Sequence, residues 1–226
     1  MPSPTNVGEF YTKFSSDYDQ NRFSSLYHQR MAKYEQKFIL SNLSPGGNVL
    51  EVGAGTGRFT QELVNIANDV VAVDISDGML SILRAKIPAE NLLTKQLDIL
   101  KLSSLPGYGT FDYVVCMRLL PHLSDIPEAL RLLHGSVRDG GVVIFDMWNN
   151  KSFVGLIRRI RRVKSQVFTK FTDYPNMLKQ IQDAGLRVRT SAGWGFPHMY
   201  YFQLDKYLYR FFKRWAYSVV FITDKE

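Results

Sequence analysis

The sequence predicts an α/β fold, a mostly parallel sheet covered by helices on both faces. Three observations carry this expectation. Apolar β-type runs alternate with segments of helical periodicity from residue 48 to residue 147. The joints between them are short. The first strand ends on closely spaced glycines, Gly53, Gly55 and Gly57, before Phe59, Leu63 and Val64 recur at helical spacing.

Residues 9–42 read as helical, with Phe10, Phe14, Tyr18 and then Leu26, Tyr27, Met31, Tyr34 and Phe38 near a period of 3.6. Pro45-Gly46-Gly47 breaks that segment. Strand 48–53 leads to helix 57–67, strand 70–74 to helix 76–86, and 92–97 is a third strand. A fourth strand, 111–117, precedes helix 125–137, and after Asp139-Gly140-Gly141 the run VVIFDM is a fifth. Beyond residue 150 the expectation is a basic amphipathic helix at 152–164, a helix at 174–184 closed by Gly185, a strand at 186–193, an aromatic helix at 203–214 and a strand at 217–223. The last two strands extend the same sheet. No repeat or long linker divides the chain, so residues 1–226 read as one domain.

Composition narrows the class. The 45% hydrophobic and 22% charged content is ordinary for a globular protein. The opening MPSPTNVGEF has no apolar segment of a secretory signal, and no apolar run approaches the ~20 residues that span a bilayer. With Cys116 as its single cysteine the sequence holds no intrachain disulfide, and a cytoplasmic setting is expected. Four scattered histidines offer no metal-binding spacing. The net charge of +7 is unevenly shared: residues 1–150 carry 13 Lys+Arg and 16 Asp+Glu, residues 151–226 carry 15 and 5. Of the 30 aromatic residues, 16 lie in that basic third.

The glycine turn departs from the phosphate-binding spacing G-x-G-x-x-G, since Arg58 stands where the third glycine would fall. Glu51, at the carboxyl end of the same strand, disfavours a diphosphate and favours a ligand with positive charge. Asp74 ends the second strand, 21 residues after Gly53, where a carboxylate accepts both ribose hydroxyls. Asp98, after the third strand, is placed for an adenine amino group. Three acidic residues at the ends of three successive parallel strands face one crevice. A nucleoside bearing an ammonium and a sulfonium, S-adenosylmethionine, suits that environment.

The segments VLEVGAGTGRFTQEL, VVAVDISDGML, LDIL, FDYVVCMRLLPHLSD and LLHGSVRDGGVVIFD, in that order, resemble the class I S-adenosylmethionine-dependent methyltransferases. The resemblance is to the small-molecule branch that includes the ubiquinone and menaquinone biosynthesis enzymes. It implies a Rossmann-like, seven-stranded sheet of order 3-2-1-4-5-7-6 with strand 7 antiparallel. It implies an N-terminal helical lid (1–44), a cofactor core (45–148) and acceptor-side elements (149–226). Carried over, Glu51, Gly53, Ala54, Gly55, Thr56 and Gly57 would hold the methionine part of the cofactor and Asp74 the ribose. Ile75 and Met79 would flank the adenine, Asp98 and Ile99 would contact it, Met117 would floor the site, and Tyr18 would close over it. The stretch Arg118-Leu119-Leu120-Pro121 is bulkier and more charged than the small residues expected there.

Methyl transfer to a hydroxyl calls for a base, and His122, just past the fourth strand, is the first choice. Tyr11, His28 and His198 are weaker candidates; Asp146 could satisfy backbone or cofactor groups. On the acceptor side, residues 151–164 hold six cations and no anion, and 203–214 place Lys206, Arg210, Lys213 and Arg214 opposite an apolar stripe. These segments suggest a small-molecule or lipid-linked acceptor, anionic with an apolar or aromatic body, handled at a membrane surface. Two other readings stay open: an RNA methyltransferase using the basic, aromatic C-terminal third, and a cofactor-binding scaffold without activity.

Overall fold

The computed structural model describes residues 7–15, 26–161, 167–194 and 213–225. Its elements in chain order begin with α1 (Val7–Lys13), α2 (Leu26–Leu40), β1 (Asn48–Val52), α3 (Thr60–Ile66), β2 (Asp69–Asp74), α4 (Asp77–Lys86), β3 (Leu92–Gln96) and β4 (Phe111–Cys116). Then follow α5 (Ile126–Ser136), β5 (Val137–Trp148), α6 (Phe153–Ile160), α7 (Tyr174–Asp183), β6 (Leu186–Trp194) and β7 (Ser218–Lys225). Short 3-10 turns occupy Ile99–Ser104, Leu120–His122 and Lys213–Trp215.

The strands form one sheet in the order β3-β2-β1-β4-β5-β7-β6. β7 runs antiparallel to β5 and β6, and the other pairs are parallel. Alternation along the strands builds a core on each face. Val49, Val115 and Ile144 pack with Ile39 of α2 and Leu63 of α3. Leu50, Val114, Val143 and Phe145 face Leu130 and Leu133 of α5 and Ile181 of α7. Helix starts are marked by side-chain caps: Ser76 accepts from the Met79 N–H, Asp125 from Glu128 and Asp173 from Asn176. Among the described residues no helix is long and apolar enough to cross a membrane.

Several boundaries differ from expectation for local reasons. β1 ends at Val52 and α3 starts only at Thr60, because Gly53 (φ 77°), Gly55 (56°) and Gly57 (88°) are all left-handed and cannot sit in a strand or a right-handed helix. The described residues of the segment expected as helical over 9–42 form two helices, and α1 stops at Lys13, followed by a turn in which Ser15 Oγ donates to the Thr12 carbonyl at 3.0 Å. β5 is longer than expected, starting at Val137. Residues 203–212 of the expected aromatic helix lie outside the described residues, as do Tyr18, His198 and residues 162–164; Lys213–Trp215 is a 3-10 turn.

Gly57 has a packing reason to be glycine as well as a conformational one. A Cβ there would lie 2.7 Å from Ile87 Cδ1 and 3.0 Å from Leu83 Cγ. Gly57→Ala is therefore expected to destabilise the fold by about 2 kcal/mol or more, adding left-handed strain to overpacking. A urea midpoint unchanged from wild type would show that the turn relaxes instead.

Candidate functional site

A cavity opens at the C-terminal ends of β1, β2 and β4, enclosing about 750 Å³ of space that is partly open to solvent. That is where open α/β sheets present ligands. Its wall includes Glu51, Gly53, Ala54, Gly55, Thr56, Asp74, Ile75, Met79, Met117 and His122. Val7 and Tyr11 of α1, with Arg58, Phe59, Arg118 and Leu119, complete it. α1 is seated there by Thr12 Oγ1, 2.8 Å from Ser76 Oγ at the start of α4. Gly78 and Gly8 allow close approach, with a Cβ at Gly78 meeting Thr12 Cγ2 at 3.2 Å and one at Gly8 meeting Ile75 at 3.4 Å.

The glycine turn is folded back on β2 and does not present its donors to an anion. The N–H groups of Gly53 and Ala54 donate to the Val73 carbonyl at 2.8 and 3.1 Å, and Gly55 N–H donates to Asp74 Oδ2 at 2.9 Å. Phosphate-cradling turns aim such N–H groups at the ligand. Here they hold a carboxylate and a strand end, so the turn shapes a wall. A Cβ at Gly55 would meet nothing within 4 Å, which leaves the cavity side of the turn open.

Two carboxylates face this space, Glu51 buried and Asp74 half-buried. Glu51 is 3% exposed and accepts from Thr60 Oγ1 at 2.5 Å. Burial pushes its carboxyl up to about 8, with the Asp74 charge adding to the rise and Thr60 opposing it. Asp74 is raised in the same sense, chiefly by burial, against the N–H donors of Ser76 and Gly55. Among the described residues neither carboxylate forms an ion pair. A buried and a half-buried carboxylate on one cavity, neither ion-paired among the described residues, suit a ligand that brings positive charge and hydroxyl donors.

The cavity's own cations are already committed. Glu35 of α2, 1% exposed, accepts from Arg58 at 2.7 Å and from Arg118 at 2.6 Å. Burial raises its carboxyl, but Arg118 and Arg58 outweigh burial and leave it below its ordinary value. Arg118 is the non-glycine residue with positive φ (63°) among those described. Its N–H donates to buried Asp146 Oδ1 at 2.5 Å, and Asp146 Oδ2 accepts from Trp148 Nε1 and Ser218 Oγ, both at 3.1 Å. Asp146 thus anchors a strained turn after β4.

That turn presents His122, which is 5% exposed. Its Nδ1 lies 2.8 Å from the Phe168 carbonyl, an acceptor only, so Nδ1 carries the proton. In the neutral ring Nε2 is then an acceptor, and the Tyr11 hydroxyl is 3.0 Å away to donate to it. Trp148 packs edge-on against the imidazole at 5.6 Å, and Phe171 and Tyr217 continue a half-buried aromatic wall at 5.6 and 5.4 Å from Trp148.

The structure thus brings Glu51, Asp74, Ile75, Met79, Met117, His122 and most of the glycine turn to one cavity. It does not bring Gly57, Asp98 or Ile99 into the lining. Gly57 turns toward α4. Asp98 follows edge strand β3 and caps the next 3-10 turn, accepting from Leu100 N–H at 3.0 Å, and Ile99 is buried in the core. Sequence reasoning missed Glu35 and the conformation of Arg118. Among the described residues, no group of three or more His, Cys, Asp or Glu is placed to hold a metal ion.

Comparison with known proteins places the chain in a family. A family model described as a methyltransferase domain matches residues 20–205. The chain is 26% identical over 159 residues to ubiquinone biosynthesis O-methyltransferase of Acinetobacter baylyi, covering 66% of each chain. It is 30% identical over 152 residues to demethylmenaquinone methyltransferase of Symbiobacterium thermophilum, covering 62% of this chain and 59% of that one. The matches thus span about two thirds or less of these relatives' length. In fold, it superposes on magnesium protoporphyrin IX methyltransferase from Synechocystis, solved with S-adenosylhomocysteine, with a TM-score of 0.74, 15% identity and coverage of 99% and 100%.

Proposed function

The chain belongs to the S-adenosylmethionine-dependent methyltransferases, and within that family we propose that it methylates a hydroxyl of a small-molecule or lipid-linked acceptor, anionic with an apolar or aromatic body. The cofactor, when bound, supplies an electrophilic methyl group on a sulfonium. Glu51 would take the ammonium of its methionine part beside the Gly53–Gly57 turn, and Asp74 the ribose hydroxyls. Ile75 and Met79 would flank the adenine, with Met117 beneath. The paired carboxylates without a counter-cation support this placement.

The observation that carries the hydroxyl assignment is His122 Nε2, held as an acceptor by the Phe168 carbonyl, in the wall of the same cavity. An acceptor hydroxyl must lose its proton as the new C–O bond forms. Nε2 takes that proton, passed through the Tyr11 hydroxyl that already donates to it. The enclosing contacts of α1 keep water from competing for the methyl group. Trp148, Phe171 and Tyr217 offer an apolar, stackable wall to the body of the acceptor next to the base.

The test is to incubate the protein with radiolabelled cofactor and fractionated cell extract. Label is expected in lipid or small-metabolite fractions, as an alkali-stable ether. Label entering RNA alone, or none in any fraction, would overturn the proposal.

A further inference from the structure

We propose that α6 and the adjoining turn Lys213–Trp215 form a face that docks on an anionic lipid bilayer. The inference goes beyond methyl transfer and does not need it. α6 has an amphipathic sequence, yet Leu156 and Ile160, one turn apart on one side of it, are 41% and 72% exposed. The cations Lys151, Arg158 and Arg161 lie on or beside the helix, within a segment, 151–164, that carries six cations and no anion. In the Lys213–Trp215 turn, Trp215 is 50% exposed, with the Arg214 guanidinium 5.9 Å from its ring.

One buried side chain ties the two pieces together. Asn149 is fully buried, and its Nδ2 donates to the Arg214 carbonyl at 2.8 Å while its Oδ1 accepts the Lys151 N–H at 3.0 Å. The segment leading into α6 and the Lys213–Trp215 turn are therefore held side by side. Asn149 directly follows Trp148, whose ring packs edge-on against His122 of the cavity wall, so this surface lies close to the cavity.

A cationic face could also meet RNA, but the aliphatic pair decides between them. Neither phosphates nor sugar would cover Leu156 and Ile160, whereas the headgroup–acyl boundary buries aliphatic side chains and an indole while cations reach the headgroups. Among the described residues Asp173 pairs with Lys151 Nζ at 3.0 Å, which leaves Arg158 and Arg161 to keep the face basic.

The test is sedimentation with vesicles of phosphatidylcholine alone or mixed with phosphatidylglycerol, at low and high salt. The chain is expected to pellet with the mixed vesicles at low salt and much less with phosphatidylcholine. Joint Arg158→Gln and Arg161→Gln should lower partitioning by about thirtyfold, at roughly fivefold per cation. Joint Leu156→Ser and Ile160→Ser, which leaves the charge alone, should lower it by about tenfold. All four residues lie outside the cavity, so calorimetric affinity for S-adenosylhomocysteine should be unchanged, which also confirms folding. No pelleting at low salt, or pelleting that the Ser pair leaves intact, would overturn the proposal. So would binding confined to a tRNA probe. None of these outcomes touches the methyl-transfer reading, which is measured by label.

Discussion

Glu51→Gln is expected to weaken S-adenosylhomocysteine binding about a hundredfold or more while making the ligand-free protein more stable above pH 8. Losing one partner of a buried charge pair costs about 2–5 kcal/mol, and Glu51, which is buried, is the group proposed to pair with the ligand's ammonium. Stability moves the other way. The folded carboxyl sits at about 8 against an ordinary 4.5, so between those values the folded chain binds more protons than the unfolded one. Stability then falls as pH rises through that window; the penalty is absent below its lower end and complete above its upper end. Gln keeps an oxygen for the Thr60 hydroxyl and removes the ionisation. Its melting temperature above pH 8 should exceed wild type by about 10 °C or more, with the gap closing toward pH 4.5. A second readout uses the wild-type protein alone. A cation that favours ionised Glu51 should bind up to about tenfold tighter per pH unit as pH climbs toward 8, then level off. A flat affinity profile, or a Gln variant that binds as well as wild type, would remove Glu51 from this role.

Much of that argument was legible without coordinates, because the signals are short in sequence. A carboxylate two residues before a left-handed glycine turn, and a second at the end of the next strand, are placed by the strands themselves. Parallel neighbours in register bring their ends to one edge; Glu51 pairs with Ala72 and Val52 with Val73, so Asp74 arrives beside the turn. The sheet order followed from family resemblance and agrees with the structure. At the glycine turn, strand and helix limits failed because backbone conformation overrode side-chain pattern. Phe59, Leu63 and Val64 keep helical spacing from residue 57 onward, yet a residue at φ 88° cannot begin a right-handed helix.

What stayed hidden depends on contacts between distant positions. Glu35 looks like any polar residue on a helix, and its partners are 23 and 83 positions away. Arg118 occupies a conformation that favours glycine, and nothing in its neighbours announces it. The structure supplies the reason: Asp146, from the adjacent strand, accepts its N–H, and Glu35 accepts its guanidinium. The bulk and charge noted at Arg118-Leu119 thus serve the turn that lifts His122 to the cavity wall, with Leu119 within 3.1 Å of where a Cβ on Gly53 would stand. Asp98 shows the opposite case. A strand-end Asp is read equally well as a ligand or a cap, and the Leu100 N–H takes it as a cap.

His122→Asn is expected to lower turnover by about 10²–10⁴-fold without altering S-adenosylhomocysteine affinity beyond about threefold. The Asn side chain can still donate an N–H toward the Phe168 carbonyl, so the turn keeps its anchor, but no atom remains at the position of Nε2 to take a proton. Turnover is read as label passed from radiolabelled cofactor into the acceptor fraction identified in extract. A purely structural role would instead lower the melting temperature and leave the shape of the pH profile alone. A base role predicts that the wild-type rate rises as the imidazolium loses its proton and then levels, whereas the variant's rate keeps climbing with hydroxide. Tyr11→Phe should cost about tenfold, and the double variant should be no slower than His122→Asn, because the hydroxyl acts only through Nε2 at 3.0 Å. If the two losses instead multiply, Tyr11 works independently of the imidazole and the proposed proton path between them fails.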